Sequence, residues 1–321
     1  MISRADIENA YNNIQKDILK TPLEFSPELS RISGAHVYLK MEHLQHTGSF
    51  KIRGVLNKIS SIDKANFNKP FVAASTGNHA AAFAYASKKF AFNGTLFLPK
   101  KASEAKIRAI AQYNVEKEFF GENCSQTEAK AAAYAKEIDG ILIHPYNDKH
   151  IIAGQGTLAI EIMKQLPDVD TVLAPIGGGG LISGLCAYFQ EASSVEVVGC
   201  QPKNAAEMYE SVIQNKIVPP STLPTISDAT AGGLEEGSIT FDICKNHLNG
   251  YELIDEEEIK KAVAFVVKYH HTLIEPASAL PVAALLNSPN YQGKNVVLVL
   301  TGKKIDAAML TEIMIAYGDY Y

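Results

Sequence analysis

A lysine that follows a short glycine-containing segment is the first residue whose surroundings suggest chemistry. Lys51 comes directly after Gly48-Ser49-Phe50 in "HTGSFKIRG" (residues 46–54). On a solvated helix face, as most lysines are, it would simply stay charged. At the positive end of a helix and packed beside phenylalanine, its amine pKa would be lowered and it could attack carbonyl groups. Lys51 is therefore the candidate nucleophile.

A run of four glycines lies between a predicted buried strand and an apolar helix. The segment is "TVLAPIGGGGLISGLCAYF" (171–189), and the run is Gly177, Gly178, Gly179 and Gly180. Backbone N–H groups in such a turn can close around an anion, and the next helix adds a favourable dipole. The spacing matches neither the P-loop nor the dinucleotide-binding pattern. Because a tight turn needs only one glycine, we favour a phosphate site of another kind.

A second strand-to-helix turn carries hydroxyl, amide and backbone N–H donors. It lies in "AASTGNHAAA" (73–82) and suits a carboxylate, although the same residue types form ordinary helix N-caps. Lys51, the glycine run and this turn together predict a phosphorylated aldehyde held by lysine and an amino acid substrate, which is pyridoxal phosphate chemistry. The donors of the turn are Ser75, Thr76, Gly77, Asn78 and His79.

Composition limits the remaining possibilities. The chain has 321 residues, 46% hydrophobic and 20% charged, which is typical of one large or two medium globular domains. A net charge of -5 argues against nucleic acid or an anionic membrane as the main partner. The polar N-terminus resembles no signal peptide, and no apolar run reaches the roughly 18 residues that span a bilayer. Four scattered cysteines without a CxxC pair favour buried reduced thiols in a cytoplasmic protein.

Short apolar runs alternate with helical patterns along the chain. Continuous apolar runs are typical of strands buried on both faces, so the alternation predicts an α/β fold with parallel sheets. Three evenly spaced β-α units predict a compact insert at 68–144. The predicted strands are 36–40, 71–75, 95–99, 141–145, 171–175, 195–200 and 295–300, and the predicted helices are 79–90, 103–113, 125–138, 156–166 and 255–271.

Five motifs occur in one characteristic order: "TGSFKIRG", "STGNHA", "IGGGGL", "IEPASA" and "LVLTGKKID". Through them the chain resembles the fold type II pyridoxal-phosphate enzymes, specifically the threonine/serine dehydratase and serine racemase family. The resemblance implies two open parallel-sheet domains with the cofactor in the cleft between them. Residues 1–67 and 145–321 would form the large cofactor-binding domain, and 68–144 a small domain that closes on the substrate. It also implies a homodimer.

The resemblance further implies roles for single residues around the cofactor. Lys51 forms a Schiff base with pyridoxal phosphate and acts as the general base, while Phe50 packs near the ring. Asn78 is the partner of the phenolic oxygen, and Glu275 lies near the ring. Thr301 faces the pyridine nitrogen, where a neutral hydroxyl makes a weaker electron sink than an aspartate would. The glycine run holds the phosphate.

The resemblance also bears on substrate and metal. The 75–79 turn takes the substrate carboxylate, and the Thr76 hydroxyl stands where racemases place a serine that protonates the opposite face. The matching metal site would use the Ala205 carbonyl, Glu207 and Gln201, where Gln201 replaces an acidic ligand. Any Mg²⁺ should therefore bind weakly, because hard cations prefer charged oxygen ligands. Lys303 and Lys304 depart from the family pattern.

The function implied is that of a dehydratase acting on a β-hydroxy amino acid, with L-threonine and L-serine as substrates and a 2-oxo acid and ammonia as products. A serine racemase and a 3-hydroxyaspartate dehydratase are the enzyme alternatives. A non-catalytic ligand-binding protein on the same fold is disfavoured by the presence of both Lys51 and the glycine run. An α/β-hydrolase is disfavoured because no GxSxG elbow is present.

Overall fold

The structure is a computed structural model that describes residues 2–75, 77–100, 107, 110–111, 113, 115–122, 124–190, 194–221 and 223–321. Its strands confirm the predicted α/β architecture with parallel sheets. The strands are β1 (Leu23–Phe25), β2 (His36–Lys40), β3 (Phe71–Ala74), β4 (Gly94–Leu98), β5 (Glu116–Phe119), β6 (Ile141–Leu142), β7 (Thr171–Pro175), β8 (Glu196–Pro202), β9 (Gly250–Ile254) and β10 (Asn295–Val299).

Two sheets are formed by these strands. The larger has the order β1-β2-β10-β7-β8-β9 and the smaller the order β5-β4-β3-β6. The edge strand β1 runs antiparallel to β2, and the other pairings within the described residues are parallel. The predicted strand 141–145 ends at Leu142, and β1, β5 and β9 were not predicted.

Helices cover both sheets. The predicted helix 156–166 begins earlier, at Lys149, because the Asp148 side chain accepts hydrogen bonds from the N–H groups of His150 and Ile151 and caps it. The predicted helix 103–113 falls largely outside the described residues. The helices are α1 (Arg4–Ile14), α2 (Pro27–Ser33), α3 (Lys51–Ser60), α4 (Asn78–Phe90), α5 (Cys124–Glu137), α6 (Lys149–Gln165), α7 (Gly180–Phe189), α8 (Glu207–Gln214), α9 (Ile239–His247), α10 (Glu256–His270), α11 (Pro276–Asn287) and α12 (Ala307–Tyr317).

The core consists of apolar layers on both faces of the larger sheet and of a separate cluster beside the smaller one. Helices α6 and α7 pack on one face of the larger sheet, and α10 and α11 pack on the other. The cluster beside the smaller sheet joins α3 and α4 to β3 and β4. Strands β3, β4 and β7 are buried along their whole length, which explains their uninterrupted apolar sequences.

The carboxyl ends of three central strands lead into the predicted site residues. Ser75 follows β3 in the smaller sheet, while Gly177 and Thr301 follow β7 and β10 in the larger sheet. Ligands of open parallel sheets bind at this end of the strands. All four strands of the smaller sheet lie inside the range 68–144. We retain as a proposal that this range moves as a separate domain.

Two predictions from composition concern thiols and membranes. Cys186, Cys200 and Cys244 are free and buried. Burial raises the pKa of each of these thiols, so they stay protonated. None of the helices in the described ranges has the length and apolar character needed to cross a bilayer.

Candidate active site

A cleft of about 400 Å³ lies where the two sheets meet. Its volume falls within the usual range for small-molecule sites. The 227–238 loop also contributes to its wall, from Asp228 to Gly233. Thr76 is outside the described residues. The predicted residues that line the cleft are Phe50, Lys51, Ser75, Gly77, Asn78, His79, Gly177, Gly178, Gly179, Gly180, Glu275 and Thr301.

Lys51 is the first residue of α3 and faces the cleft. Its Nζ donates a hydrogen bond to the Pro145 carbonyl at 2.8 Å and lies 5.4 Å from the centroid of the Phe50 ring. Burial lowers the pKa of the Lys51 amine to about 8, while Glu128 and Glu275 act in the opposite direction. At pH 7, roughly a tenth of the Lys51 side chains therefore carry an uncharged amine, more than an ordinary lysine would.

A buried ion-pair network anchors α3 directly behind Lys51. The Arg53 guanidinium bonds both Glu42 oxygens through Nε and Nη2, at 2.7 and 2.8 Å. Its Nη1 reaches Glu161 Oε1 at 2.8 Å, and Lys40 Nζ reaches Glu161 Oε2 at 2.7 Å. All four side chains are fully buried. The network balances two positive with two negative charges and ties α3 to β2, to the turn that follows it and to α6.

The glycine turn is shaped by close packing as well as by backbone conformation. A Cβ on Gly178 would lie 2.3 Å from Tyr146 Cδ1, so a side chain cannot fit there. Gly179 has φ +86°, which favours glycine, and it precedes α7 without any side-chain cap. The Thr240 hydroxyl donates to the Gly178 carbonyl at 2.7 Å and fixes the turn. The first N–H groups of α7 are thus presented beside the cleft.

Asn78 and Glu275 form a buried pair that joins the two sheets. Asn78 Nδ2 donates to both carboxylate oxygens of Glu275, at 2.8 and 3.0 Å. Burial raises the Glu275 pKa to about 7, although the bond from Asn78 opposes this. A Cβ on Gly302 would lie 2.4 Å from Glu275 Oε1, so this glycine gives the carboxylate its space. The Asn78 Oδ1 atom is buried and has no hydrogen-bond partner among the residues that the structure describes.

His79, the second residue of α4, lies where the turn between β3 and α4 ends. Its Nε2 lies 2.8 Å from the Ile143 carbonyl, which can only accept, so Nε2 carries the proton. Burial and the charge of Lys51 lower the His79 pKa to about 3, and the ring is neutral. Ser75 Oγ accepts the Gly77 N–H at 3.1 Å, and Gly77 gives α4 no side-chain cap. First-turn donors of α4 are therefore open to a ligand.

Thr301 is held by a second residue of the "IEPASA" motif. Ser278 Oγ lies 3.0 Å from Thr301 Oγ1 and accepts the Gly302 N–H at 2.7 Å. Both hydroxyls are buried. The neutral hydroxyl of Thr301, which follows β10, thus lies on the wall of the cleft with Ser278 behind it.

Comparison with known proteins settles the family. A family model described as pyridoxal-phosphate dependent enzyme matches residues 14–302. The chain belongs to this family. The assignment predicted from the five motifs is confirmed, and the enzyme depends on pyridoxal phosphate.

Relatives and solved structures agree with this assignment. The L-threonine ammonia-lyase of Thermotoga maritima is 36% identical over 315 residues, which cover 98% of this chain and 78% of that protein. A catabolic L-threonine dehydratase of Staphylococcus aureus is 34% identical over 320 residues, which cover 98% of this chain and 92% of the relative. The structure of maize serine racemase matches with a TM-score of 0.91 and 28% identity, covering 99% of this chain and 98% of that one.

The cleft of this pyridoxal-phosphate enzyme fits its cofactor. Asn78 Oδ1 and His79 Nδ1 are buried polar atoms of the cleft that have no partner within the described residues. Leaving such atoms unsatisfied is costly, so a bound group that satisfies them is expected. The glycine turn leaves room for an anion, and Lys51 lines the same cleft as a partly uncharged amine. Lys51, Asn78, Glu275, Thr301 and the glycine turn are thus suited to hold the cofactor.

Several residues of the cleft wall were not given a site role from the sequence, among them Tyr146, Glu128, Lys304 and Asp228. Tyr146 packs against the glycine turn, and its hydroxyl accepts the Glu235 N–H at 2.9 Å. Its place just after β6 was a usable signal. Glu128 lies on α5, where no pattern marks it. Lys304 lies inside the motif "LVLTGKKID" and was noted only as a departure from the family pattern. Asp228 lies in the 227–238 loop, which belongs to none of the five motifs.

The stretch predicted to bind metal is occupied by internal hydrogen bonds. Gln201 Nε2 donates to the Ala205 carbonyl at 3.5 Å, and Gln201 Oε1 accepts the Tyr209 N–H at 2.9 Å. Glu207 Oε1 accepts the Ser221 N–H at 2.9 Å. Within the described ranges, no three His, Cys, Asp or Glu side chains are grouped so as to hold a metal. Weak Mg²⁺ binding at this stretch stays a prediction.

Removal of divalent metal is expected to change this enzyme little. Addition of EDTA should lower the midpoint of thermal unfolding by no more than about 2 °C, because a weak site contributes little binding free energy. The matched control is Gln201→Glu, which restores an acidic ligand and should make the midpoint more sensitive to EDTA. Complete and reversible loss of wild-type activity on chelation would contradict the prediction.

Proposed function

We propose that this enzyme is an ammonia-lyase that converts L-threonine and L-serine to 2-oxo acids and ammonia by β-elimination. The observation that carries the proposal is Lys51, a partly uncharged amine on the wall of the cleft that the glycine turn and residues of the 75–79 turn also line. Relatives named L-threonine ammonia-lyase and L-threonine dehydratase, each aligned over 98% of this chain, support the reaction type.

Lys51 is proposed to move the proton at the substrate Cα. Bound pyridoxal phosphate supplies an electron sink for the charge that develops at this carbon. The lowered pKa of Lys51 lets its amine accept the proton near neutral pH. The Pro145 carbonyl, 2.8 Å from Nζ, holds the amine at the cleft wall.

The surrounding residues are proposed to favour elimination. Thr301, which is hydrogen-bonded to Ser278, is proposed to contact the pyridine nitrogen of the cofactor. A neutral hydroxyl would stabilise the protonated form of that nitrogen less than a carboxylate would. Less negative charge then accumulates in the ring, which suits β-elimination better than transamination. Asn78, held by Glu275, is proposed to contact the phenolic oxygen. Thr76, which lies outside the described residues, stays a prediction as the hydroxyl of the opposite face.

Product analysis tests the proposal. Purified holoenzyme would be incubated with L-serine, L-threonine, 3-hydroxyaspartate and phenylserine, and the 2-oxo acid and ammonia released would be measured. We expect the two products in equal amounts. Chiral analysis of the recovered serine tests the alternative, which the likeness to maize serine racemase favours. Accumulation of D-serine without 2-oxo acid would make the enzyme a racemase and overturn the proposal.

L-Threonine and L-serine are expected to be better substrates than L-threo-3-hydroxyaspartate. Asp228 lies on the cleft wall and would repel a second carboxylate, and no arginine occurs in the 227–238 loop to bind one. Arg53 is buried and bound to Glu42 and Glu161, so it does not serve this purpose. Repulsion of about 1.4 kcal/mol corresponds to a tenfold lower kcat/KM. Comparison of kcat/KM under one set of conditions decides this, and an advantage for the dicarboxylate would contradict it.

We also propose that the enzyme is a cytoplasmic homodimer whose small domain, residues 68–144, closes over the amino acid. The three described thiols that are buried and reduced suit the cytoplasm. Light scattering coupled to size-exclusion chromatography measures the oligomeric state, and a monomer at micromolar concentration would contradict the dimer.

A further inference from the structure

Lys303 and Lys304, the two lysines that depart from the family pattern, have side chains that point to different places. Lys304 is half-buried, lines the cleft, and its Nζ lies 3.5 Å from the carbonyl of Gly77 in the 75–79 turn. Lys303 is exposed, and its stem runs along Gly48, where a Cβ would lie 3.0 Å from Lys303 Cε. Only Lys304 is therefore placed beside the turn that is proposed to take the substrate carboxylate.

The charges around the cleft give Lys304 a specific task. The described residues of its wall include four carboxylates, Glu128, Asp228, Glu275 and Asp306, but only two lysines, Lys51 and Lys304. An incoming carboxylate is therefore repelled unless a cation meets it. Lys51 cannot be that cation when it acts as a base, because it must then be uncharged. His79 is neutral, since burial lowers its pKa to about 3.

The helix start at this turn offers the other half of a carboxylate site. Gly77 provides no side-chain cap for α4, whose first N–H groups remain available to an anion. These donors are dipolar and carry no full charge. If the helix N–H groups bind one oxygen of a carboxylate, an ammonium group beside the turn would add a charge-assisted hydrogen bond to the second oxygen.

We propose that Lys304 binds the α-carboxylate of the amino acid substrate together with the 75–79 turn. The inference rests on the proposed function only in that the ligand is an α-amino acid. In the free enzyme, the ammonium of Lys304 lies near the Gly77 carbonyl. Its positive charge also favours the charged form of Glu275 and so opposes the rise in the Glu275 pKa that burial causes. When substrate binds, the carboxylate becomes its partner, and Lys304 thus selects ligands that carry a carboxylate at Cα.

The test compares a ligand that has the carboxylate with one that lacks it. L-Alanine and L-alaninamide differ at this group, and neither has a β-leaving group, so binding can be measured without elimination. Their dissociation constants would be obtained by calorimetry and from the visible absorbance of the holoenzyme. The variants are Lys304→Met, Lys304→Arg and, as the matched control, Lys303→Met. Thermal unfolding would confirm that each variant is folded.

Lys304→Met is expected to weaken L-alanine binding roughly 10- to 100-fold, the usual loss for a hydrogen bond to a charged group. Binding of L-alaninamide should change less than about threefold, because this ligand has no charge for Lys304 to meet. Lys304→Arg should retain most of the affinity, and Lys303→Met should match the wild type.

Three outcomes would overturn the proposal: equal weakening for both ligands, no change for L-alanine, or a wild type that does not prefer L-alanine to L-alaninamide. Equal weakening would assign Lys304 a merely structural role. Failure of the proposed function looks different, since the wild type would then bind L-alanine normally but release no 2-oxo acid from L-threonine.

Discussion

Lys51→Ala is expected to remove both the yellow colour of the purified enzyme and its turnover of L-threonine. Lys51 combines an amine pKa lowered to about 8 with a place on the cleft wall, so its removal takes away both the proposed cofactor attachment and the proposed base. Loss of a general base alone typically costs about 10²- to 10⁴-fold in rate, and loss of the cofactor attachment adds to this. Absorbance above roughly 400 nm measures the loss of colour, and single-substrate kinetics measure the loss of turnover.

The control for this prediction is the second lysine of the cleft wall. Lys304→Ala should remain yellow, because its Nζ is directed to the Gly77 carbonyl and not to the proposed place of the cofactor aldehyde. Borohydride reduction followed by peptide mass spectrometry should place the label on Lys51. A colourless Lys304→Ala together with a yellow, active Lys51→Ala would show that the central assignment is wrong.

Arg53→Met is expected to cause the largest loss of stability. The substitution leaves Glu42 without its cation and Glu161 with only Lys40, in a fully buried site. Burial disfavours the charge on Glu42, yet Arg53 keeps the Glu42 pKa below its usual value, so the native state depends on this pairing. Breaking a buried pair by removing one partner costs about 3–5 kcal/mol. For a chain of 321 residues, the unfolding midpoint should fall by roughly 4–7 °C.

An exposed ion pair of the same kind provides the control. Arg31 contacts Glu28 at 3.0 Å, but the two side chains are 69% and 39% exposed. Arg31→Met should cost less than about 1 kcal/mol, because solvent screens the pair and replaces its hydrogen bonds. Calorimetry of both variants at one cofactor concentration measures the difference. Equal shifts for the two variants would show that the buried network contributes nothing special.

Predictability of the strands followed their position in the sheets. The central strands β2, β3, β4, β7, β8 and β10 were found because burial on both faces requires an uninterrupted apolar run. The strands that were missed, β1, β5 and β9, all lie at sheet edges. In β5 the residues are Glu116-Lys117-Glu118-Phe119, largely exposed, and no local pattern distinguishes them from a loop. Their pairing depends on a neighbouring strand and not on their own composition.

The site shows the same division between local and long-range information. Local sequence was sufficient for Lys51, the glycine turn and the 75–79 turn, because each needs particular residue types within a few positions. The pairing of Asn78 with Glu275, 197 positions apart, depends on how the two sheets meet. The glycine run was read as an anion site alone, whereas Gly178 is also required by the ring of Tyr146.

The sequence by itself determined the family, the cofactor and the architecture, because these depend on motifs whose local chemistry is specific. Only the tertiary structure decided which charges share a space. It buried Arg53 with Glu42 and Glu161, and it separated Lys304, on the cleft wall, from its exposed neighbour Lys303. Adjacent residues with identical side chains are indistinguishable to any local rule. Their roles differ because the backbone at the end of β10 directs one side chain into the cleft and the other to solvent.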